Sequence, residues 1–236
     1  CAQHGDRVLI GGLRDDGAAD QSLASAELNT TVLSKQCGYK VSVEMPLSNL
    51  AKVEAVSMYL EDFPKNKLRI ASTFSCYEPT KKNEPCKKCP ACFRWSIALL
   101  ANNVNVFMPK ESIVIEYLCK LHKYDEARRW SILKALQISN GSKKRPVWCV
   151  DIDGVITIDI EGWDYSKRKP NAKAIAKLKN AVLNKRAWVV LYTARPEMDR
   201  SPTMGWLLAN NVRFHALLMN KPPATIRIDD ISIKEL

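Results

Sequence analysis

Four cysteines in this sequence have the spacing that metal binding needs. Cys76, Cys86, Cys89 and Cys92 form a C-x9-C-x2-C-x2-C pattern. Thiolates at such spacing can close a tetrahedral shell around Zn²⁺, and a metal with no open ligand position is structural rather than catalytic. Repeated C-x2-C is also typical of 4Fe–4S proteins, and free structural cysteines are the third alternative. We expect structural zinc.

Two aspartates form the second chemical group, in the run Asp151-Ile152-Asp153-Gly154 after the apolar segment Val147–Val150. Side chains alternate along an extended chain, so both aspartates face the same side. In an open parallel sheet, the carboxyl end of a strand is where ligands bind. One carboxylate can attack as a nucleophile and the other can shuttle a proton. Both also attract Mg²⁺, which neutralises a phosphate ester.

The segments around the cysteines resemble three ordered motifs of the 7-cyano-7-deazaguanine synthases (QueC-like proteins). Residues 44–56 resemble TPL-x-x-L-x-K-x-E-I-V, residues 73–77 resemble TWSCY, and residues 85–94 resemble PCGKCDSCxLR. The resemblance covers residues 1–105. It implies that the four cysteines hold zinc. It also implies a role in the ATP-dependent synthesis of preQ0, the precursor of 7-deazaguanine bases in tRNA and some DNA.

The ATP-binding motif of that family, the PP-loop S-G-G-x-D-S, has no good counterpart here. The nearest string, from Ile10 to Asp16, lacks the serine and the D-S pair. Val8 to Gly11 followed by Asp15 fits better as the family's later I-V-I-G-x-x-x-x-D strand and loop. We therefore expect a truncated synthase region, with its ATP-binding half missing, removed by processing or supplied by a partner chain. Alone, it should not adenylate a substrate.

A second series of motifs resembles the haloacid-dehalogenase-like (HAD) phosphohydrolases. These motifs are D-x-D-G at Asp151, T-A-R at Thr193, K-P at Lys221 and D-D at Asp229. The resemblance implies that Asp151 is the nucleophile that forms an aspartyl-phosphate and that Asp153 is the general acid/base. Thr193 and Lys221 would hold the phosphoryl group.

The same resemblance supplies the remaining site residues. The candidate magnesium ligands are Asp151, Asp153, Asp229 and Asp230, and Arg195 is a candidate substrate contact. A degenerate domain that binds without catalysing is the alternative. Only residues 154–171 separate the aspartates from the next predicted helix, so we expect no cap and an open site for a nucleotide, a sugar phosphate or a polynucleotide end. Loop residues could stack on or neutralise that substrate, or simply be solvated: Trp163, Tyr165, Lys167, Arg168 and Lys169.

The elements that must position these residues form two α/β domains. Residues 1–139 form a truncated PP-loop-type domain with a zinc-binding helical subdomain. There we predict strands at 8–10 and 41–47 and helices at 18–36 (Asp20 as N-cap), 49–60 and 93–102. We also predict one or two helices over 111–138 and an extended segment at 68–72. Residues 140–146 form a linker. In residues 147–236, a small Rossmann-like domain with a parallel sheet, we predict strands at 147–150, 187–192, 215–219 and 226–228 and helices at 172–183 and 203–210.

Composition supports a globular protein and excludes several other classes. Of 236 residues, 46% are hydrophobic and 26% are charged, which excludes a mainly disordered chain. No apolar run approaches the roughly 18 residues of a membrane helix, and we see no signal peptide, so we expect a cytoplasmic protein. The net charge of +11 is compatible with phosphorylated ligands or nucleic acid.

Together these observations predict a Mg²⁺-dependent phosphohydrolase joined to a synthase-like zinc domain, acting in 7-deazaguanine or nucleotide metabolism. The predicted partners are a phosphorylated small molecule or nucleotide and no membrane. Further candidate partners are a chain that supplies the ATP-binding half and nucleic acid. Two alternatives remain: part of a preQ0 synthase, and a non-catalytic scaffold that binds nucleic acid or a partner chain.

Overall fold

The residues that the structure describes form a mixed α/β protein with two small parallel sheets. The computed structural model describes residues 6–15, 21–73, 75–138, 145–158 and 164–221. Cα proximity divides the chain into two compact units, Cys1–Val114 with Tyr124–Gly141 and Ile115–Lys123 with Ser142–Leu236. The predicted domain limits at 139 and 147 stay predictions.

Helices dominate the first part of the chain, and strands alternate with helices in the second. The first elements are β1 (Arg7–Leu9), α1 (Leu23–Cys37), β2 (Ser42–Glu44), α2 (Lys52–Asp62), α3 (Lys67–Ala71), α4 (Pro90–Ala101), α5 (Glu111–Cys119) and α6 (Glu126–Ile138). The later elements are β3 (Val147–Val150), α7 (Ala172–Leu183), β4 (Trp188–Tyr192), α8 (Arg200–Ala209) and β5 (Ala216–Leu218). Short 3₁₀ turns occupy Pro64–Asn66, Leu121–Lys123, Tyr165–Lys167 and Glu197–Asp199.

The first sheet pairs β1 with β2 in parallel, with Val8 opposite Val43. Helix α1 covers one face of this pair, where apolar side chains from the helix and both strands form a small core: Val8, Ile10, Ala26, Leu33, Val43 and Met45. The predicted N-cap Asp20 lies outside the described residues. The helix begins at Leu23, where the Ser22 Oγ accepts the Ser25 N–H at 3.2 Å, so Ser22 is the N-cap.

The extended segment predicted at 68–72 is wrong, because residues 67–71 form helix α3. Pro64 starts the preceding 3₁₀ turn, a position that suits its fixed φ and missing N–H. The backbone hydrogen bonds of this segment are local, since the Ser72 N–H donates to the carbonyl of Leu68 at 3.1 Å. Leu68 is 86% exposed, so no apolar core holds this segment extended.

Helix α4 is the centre of the helical layer, where it packs against α2 and α6. Its side chains are buried almost all round, including Phe93, Ile97 and Leu100. The helix begins at Pro90 with Cys89 as its N-cap, three residues before the predicted start. The predicted helical stretch 111–138 is two helices, α5 and α6, separated by the 3₁₀ turn at Leu121–Lys123.

The second sheet has the order β3-β4-β5, with all pairs parallel as predicted. The central strand β4 is buried, and its Leu191 lies between Val150 and Leu217. Helix α7 starts and ends where the sequence predicted, and Asn171 caps it by accepting the Ala174 N–H at 3.2 Å.

A histidine side chain takes part in the ladder between β4 and β5. The His215 N–H donates to the Val189 carbonyl at 2.8 Å, and the Val189 N–H donates to His215 Nδ1 at 3.0 Å. The imidazole therefore replaces a backbone carbonyl as the acceptor. The imidazole ring also lies edge-on to Trp188. The central guanidinium carbon of Arg145 lies 3.6 Å from the centre of the Trp188 ring.

The predicted strand at 226–228 and most of the predicted linker lie outside the described residues. In the part of the chain that the structure describes, no helix is long and apolar enough to cross a membrane.

Candidate functional site

The four predicted zinc ligands come together in one cluster. The ligand sulfurs of Cys76, Cys86, Cys89 and Cys92 all lie within 4.8 Å of one another. The Sγ atoms of Cys86 and Cys92 are 3.9 Å apart, and those of Cys89 and Cys76 are 4.0 Å apart. Zn–S bonds of about 2.3 Å place tetrahedral sulfurs about 3.8 Å apart. The cluster could therefore bind zinc, and among the described residues it is the only such group of three or more metal-ligating side chains.

The local backbone conformation brings these sulfurs close together. Lys87, between two of the ligands, has a left-handed conformation with φ 62°, which turns the chain sharply within the C-x2-C. The Cys86 N–H donates to the Cys76 Sγ and the Cys92 N–H donates to the Cys89 Sγ, each at 3.4 Å. Such donors stabilise negative charge on sulfur. Because Cys89 is the N-cap of α4, the helix also starts at the cluster.

Two thiols of this cluster, those of Cys89 and Cys92, differ in pKa when no metal is bound. Burial acts to raise the pKa of Cys89. Hydrogen bonds from the N–H groups of Cys92 and Tyr77, together with those from the Cys86 and Cys92 thiols, outweigh it and lower that pKa to about 7. Burial raises the pKa of Cys92 far above its usual range, against the opposing N–H of Lys87. A metal bound by all four as thiolates would therefore displace protons.

The second predicted site lies at the carboxyl edge of the sheet β3-β4-β5. Asp151 follows β3 directly, Thr193 follows β4, and Lys221 follows β5 by three residues. The strand ends are tied together, because the Thr193 N–H donates to the Leu218 carbonyl at 3.0 Å and the Lys221 N–H donates to the Thr193 carbonyl at 2.9 Å. We call this group, with Asp153 and Arg195, the carboxylate edge.

Asp151 is paired with the predicted lysine. Lys221 Nζ lies 2.5 Å from Asp151 Oδ2, and the Ile152 N–H donates to Asp151 Oδ1 at 2.8 Å. Ile152 is fully buried while both aspartates are partly exposed, as the alternation predicted. The structure thus brings a carboxylate and a cation together at the predicted position.

Asp153 is held by arginine. Arg195 donates to both of its carboxylate oxygens, through Nη2 at 2.7 Å and Nε at 2.9 Å. A second guanidinium, that of Arg168, has its Nε 3.8 Å from Asp153 Oδ1. Gly154, with φ 80°, turns the chain away immediately after this carboxylate, and its N–H donates to the Thr157 Oγ1. The sequence left Arg168 as a loop residue that either neutralises a substrate or is solvated, whereas its side chain is buried.

One residue of this site, Thr203, was not predicted, and two predicted residues, Tyr165 and Thr193, have contacts of a different kind. Thr203 on α8 accepts a hydrogen bond from Arg195 Nη1 at 3.1 Å, and no local sequence signal marks this threonine. The ring of Tyr165 lies 4.0 Å from the Arg195 guanidinium. Thr193 is fully buried, and its Oγ1 accepts the Arg195 N–H at 3.3 Å. The predicted ligands Asp229 and Asp230, with Trp163, lie outside the described residues.

Asp15, which the sequence placed in a family loop motif, connects two helices through a side chain that is 7% exposed. Its Oδ1 accepts the Lys52 N–H at 3.1 Å, at the start of α2, and lies 3.6 Å from Arg94 Nη2. The neighbouring Arg14 pairs with Glu54 at 3.0 Å, on the same helix. Because Asp15 and Lys52 are 37 residues apart, local spacing could not reveal this cap.

Comparison with known proteins bears on the first of the two sites. The family described as Queuosine biosynthesis protein QueC matches residues 20–103. Residues 20–103 form a QueC-like region. The match includes the whole cysteine cluster but less than half of the chain, and residues 147–236 lie outside it. No curated protein and no solved structure matched the chain.

Proposed function

We propose that this protein is a Mg²⁺-dependent phosphohydrolase of the HAD type, joined to a QueC-like zinc region that links it to 7-deazaguanine metabolism in the cytoplasm. The observation that carries the phosphohydrolase proposal is the carboxylate edge. There, Asp151 with Lys221 and Asp153 with Arg195 are brought together from three strand ends. The link to queuosine biosynthesis is supported by the family match over residues 20–103.

The proposed reaction uses two aspartates in different roles. Asp151 attacks the phosphorus of a phosphomonoester, forming an O–P bond while the bond to the leaving alkoxide breaks. Asp153, after taking up a proton from solvent, delivers it to that leaving oxygen. It later takes a proton from the water that attacks the aspartyl-phosphate, which releases inorganic phosphate and frees Asp151. Lys221 neutralises charge on the phosphoryl oxygens. Since carboxylate oxygens are the ligands that Mg²⁺ prefers, Asp151, Asp229 and Asp230 would hold the ion that shields the phosphate charge, whereas both Asp153 oxygens accept hydrogen bonds from Arg195.

An assay of released phosphate tests this proposal. We expect Mg²⁺-dependent hydrolysis of phosphomonoesters and loss of at least about 10³-fold in Asp151→Asn, since the amide cannot form the covalent intermediate. Asp62→Asn is the matched control, because Asp62 is an exposed aspartate at the end of α2. Wild-type protein that is inactive on a broad panel of nucleotides, sugar phosphates and polynucleotide ends would refute the proposal.

We propose that the cysteine cluster holds one structural zinc ion. The support is the agreement between the sulfur spacings and a tetrahedral Zn–S shell, together with the N–H donors to two of the sulfurs. Metal analysis of the purified chain should find one zinc per chain. Iron with a visible charge-transfer spectrum would instead indicate an iron–sulfur cluster, and a metal-free chain would refute the site.

A second candidate function is the synthase half of a preQ0-forming assembly, completed by a partner chain that supplies the ATP site. The family match over residues 20–103 favours it, and residues 10–16, the nearest string to the PP-loop, lack its serine and its D-S pair. We expect the chain alone to turn over no ATP. ATP turnover by the isolated chain would show that it needs no partner.

A further inference from the structure

Arg195 has contacts that leave little room for a substrate. Its side chain is fully buried, with 2% of the residue exposed. Nε and Nη2 donate to Asp153, and Nη1 donates to the Thr203 Oγ1. The ring of Tyr165 lies 4.0 Å from the guanidinium. The sequence predicted Arg195 as a substrate contact. In the structure, its guanidinium is instead directed at the protein's own carboxylate.

The main chain of Arg195 is anchored as firmly as its side chain. Its N–H donates to the Thr193 Oγ1 at 3.3 Å, and its carbonyl accepts the Asn220 N–H at 2.9 Å. Both partners follow strand ends of the same sheet, Thr193 after β4 and Asn220 after β5. The main chain that carries the guanidinium is therefore fixed, as are the contacts of the guanidinium itself.

We propose that Arg195 is a positioning residue that fixes the orientation of Asp153, an inference that rests on the proposed phosphohydrolase function. A planar guanidinium that donates two parallel hydrogen bonds sets the plane of the carboxylate as well as its place. Asp153 stands next to Gly154 at the start of a loop, so its own backbone offers less restraint than a strand would. Proton transfer needs the carboxylate within hydrogen-bond reach of the leaving oxygen, and a misplacement of about 1 Å can cost about 10²-fold in rate.

Thr203 and Tyr165 complete this arrangement from two further elements. Thr203 lies on α8 and is fully buried, so its hydroxyl holds the third guanidinium nitrogen away from Asp153. Tyr165 belongs to the 3₁₀ turn in the loop after the aspartates and stacks on the guanidinium. Removing the Thr203 hydroxyl should loosen Arg195 without removing its charge.

Steady-state kinetics with p-nitrophenyl phosphate tests the role, because positioning and substrate contact change different constants. Arg195→Gln should lower kcat by about 10²-fold and leave KM within about threefold. Arg195→Lys keeps the charge but loses the fork, so it should fall between Arg195→Gln and wild type. Thr203→Val should lower kcat by roughly three- to tenfold. Arg186→Gln, on an exposed arginine, is the control and should match wild type.

Rescue by a small cation separates positioning from a general effect on folding. Arg195→Ala leaves space where the guanidinium was, and added guanidinium should restore part of kcat while urea, which has no charge, should not. If Arg195→Gln or Arg195→Ala does not fold, Arg195→Lys and Thr203→Val carry the same test. A raised KM with unchanged kcat would overturn the inference and return Arg195 to substrate binding. Unchanged kinetics in all Arg195 variants would also overturn it, whereas an inactive wild type would refute the proposed function itself.

Discussion

The two candidate sites of this protein are built in opposite ways. The cysteine cluster takes all its ligands from one segment, residues 76–92, and helix α4 begins inside it. The carboxylate edge takes its residues from positions 151–221, across three strands and two helices. A metal can organise the first, because the free energy of metal binding is also free energy of folding. Only a formed sheet can organise the second.

This difference predicts what each site should tolerate. The cysteine cluster should fail when one sulfur is lost and survive changes elsewhere in the chain. The carboxylate edge should respond to any change that moves the sheet or the loop after β3. Variants in each site, measured for both zinc content and phosphatase rate, test this contrast.

The largest effect is expected from removing one zinc ligand. Structural zinc contributes about 10–16 kcal/mol in small zinc domains, comparable with or larger than the whole stability of a typical domain. Cys92→Ser should therefore lose the zinc and unfold the QueC-like region in a thermal or denaturant melt. Cys119→Ser, which changes an exposed cysteine outside the cluster, is the matched control. A folded, zinc-bound Cys92→Ser protein would contradict the four-sulfur site.

A smaller effect is expected from a cavity in the second sheet. Leu191 is fully buried in β4 between Val150 and Leu217. Leu191→Ala should cost about 2–5 kcal/mol of unfolding free energy, lower the phosphatase rate and leave the zinc content unchanged. Leu208→Ala, at a residue that is 68% exposed, should cost no more than about 0.5 kcal/mol. Loss of zinc from Leu191→Ala would remove the contrast between the sites.

The smallest effect is expected from one methyl group at the turn after Asp153. Gly154 has φ 80°, and an alanine in the left-handed region costs about 1–2 kcal/mol. Gly154→Ala should destabilise by that amount and also reduce activity, because it moves the neighbouring carboxylate. Gly205→Ala should have the opposite effect, because an added Cβ at this position of α8 meets nothing within 4 Å. This substitution should raise the free energy of unfolding by about 0.5–1 kcal/mol. Denaturant melts and phosphate release measure both; equal effects would argue against strain at Gly154.

The sequence predicted most where its signals were local. Helix α7 has an asparagine cap and a regular apolar face, and its predicted limits are those of the structure. The cysteine spacing predicted a cluster that the structure brings together. The segment 67–71 was mispredicted, since five residues are too few for either the helical or the strand period to show.

Long-range partners were the part that the sequence could not supply. The family motif marked Asp15, but its hydrogen bond from the Lys52 N–H at the start of α2 is a contact across 37 residues. The T-A-R motif marked Arg195, but its pairing with Asp153 spans 42 residues and is visible only when two strand ends meet. Thr203 carries no motif at all, because a hydroxyl on a helix face becomes part of a site only through packing.

The imidazole in the β4–β5 ladder makes the join between these two strands depend on a side chain. Because Nδ1 of His215 accepts the Val189 N–H, this nitrogen carries no proton. A proton at Nδ1 would convert the acceptor into a donor that faces another donor. The Arg145 Nη2 lies 3.2 Å from Nε2, on the other side of the ring. One side-chain nitrogen thus supplies a contact that backbone carbonyls supply elsewhere in this sheet, close to the start of both strands.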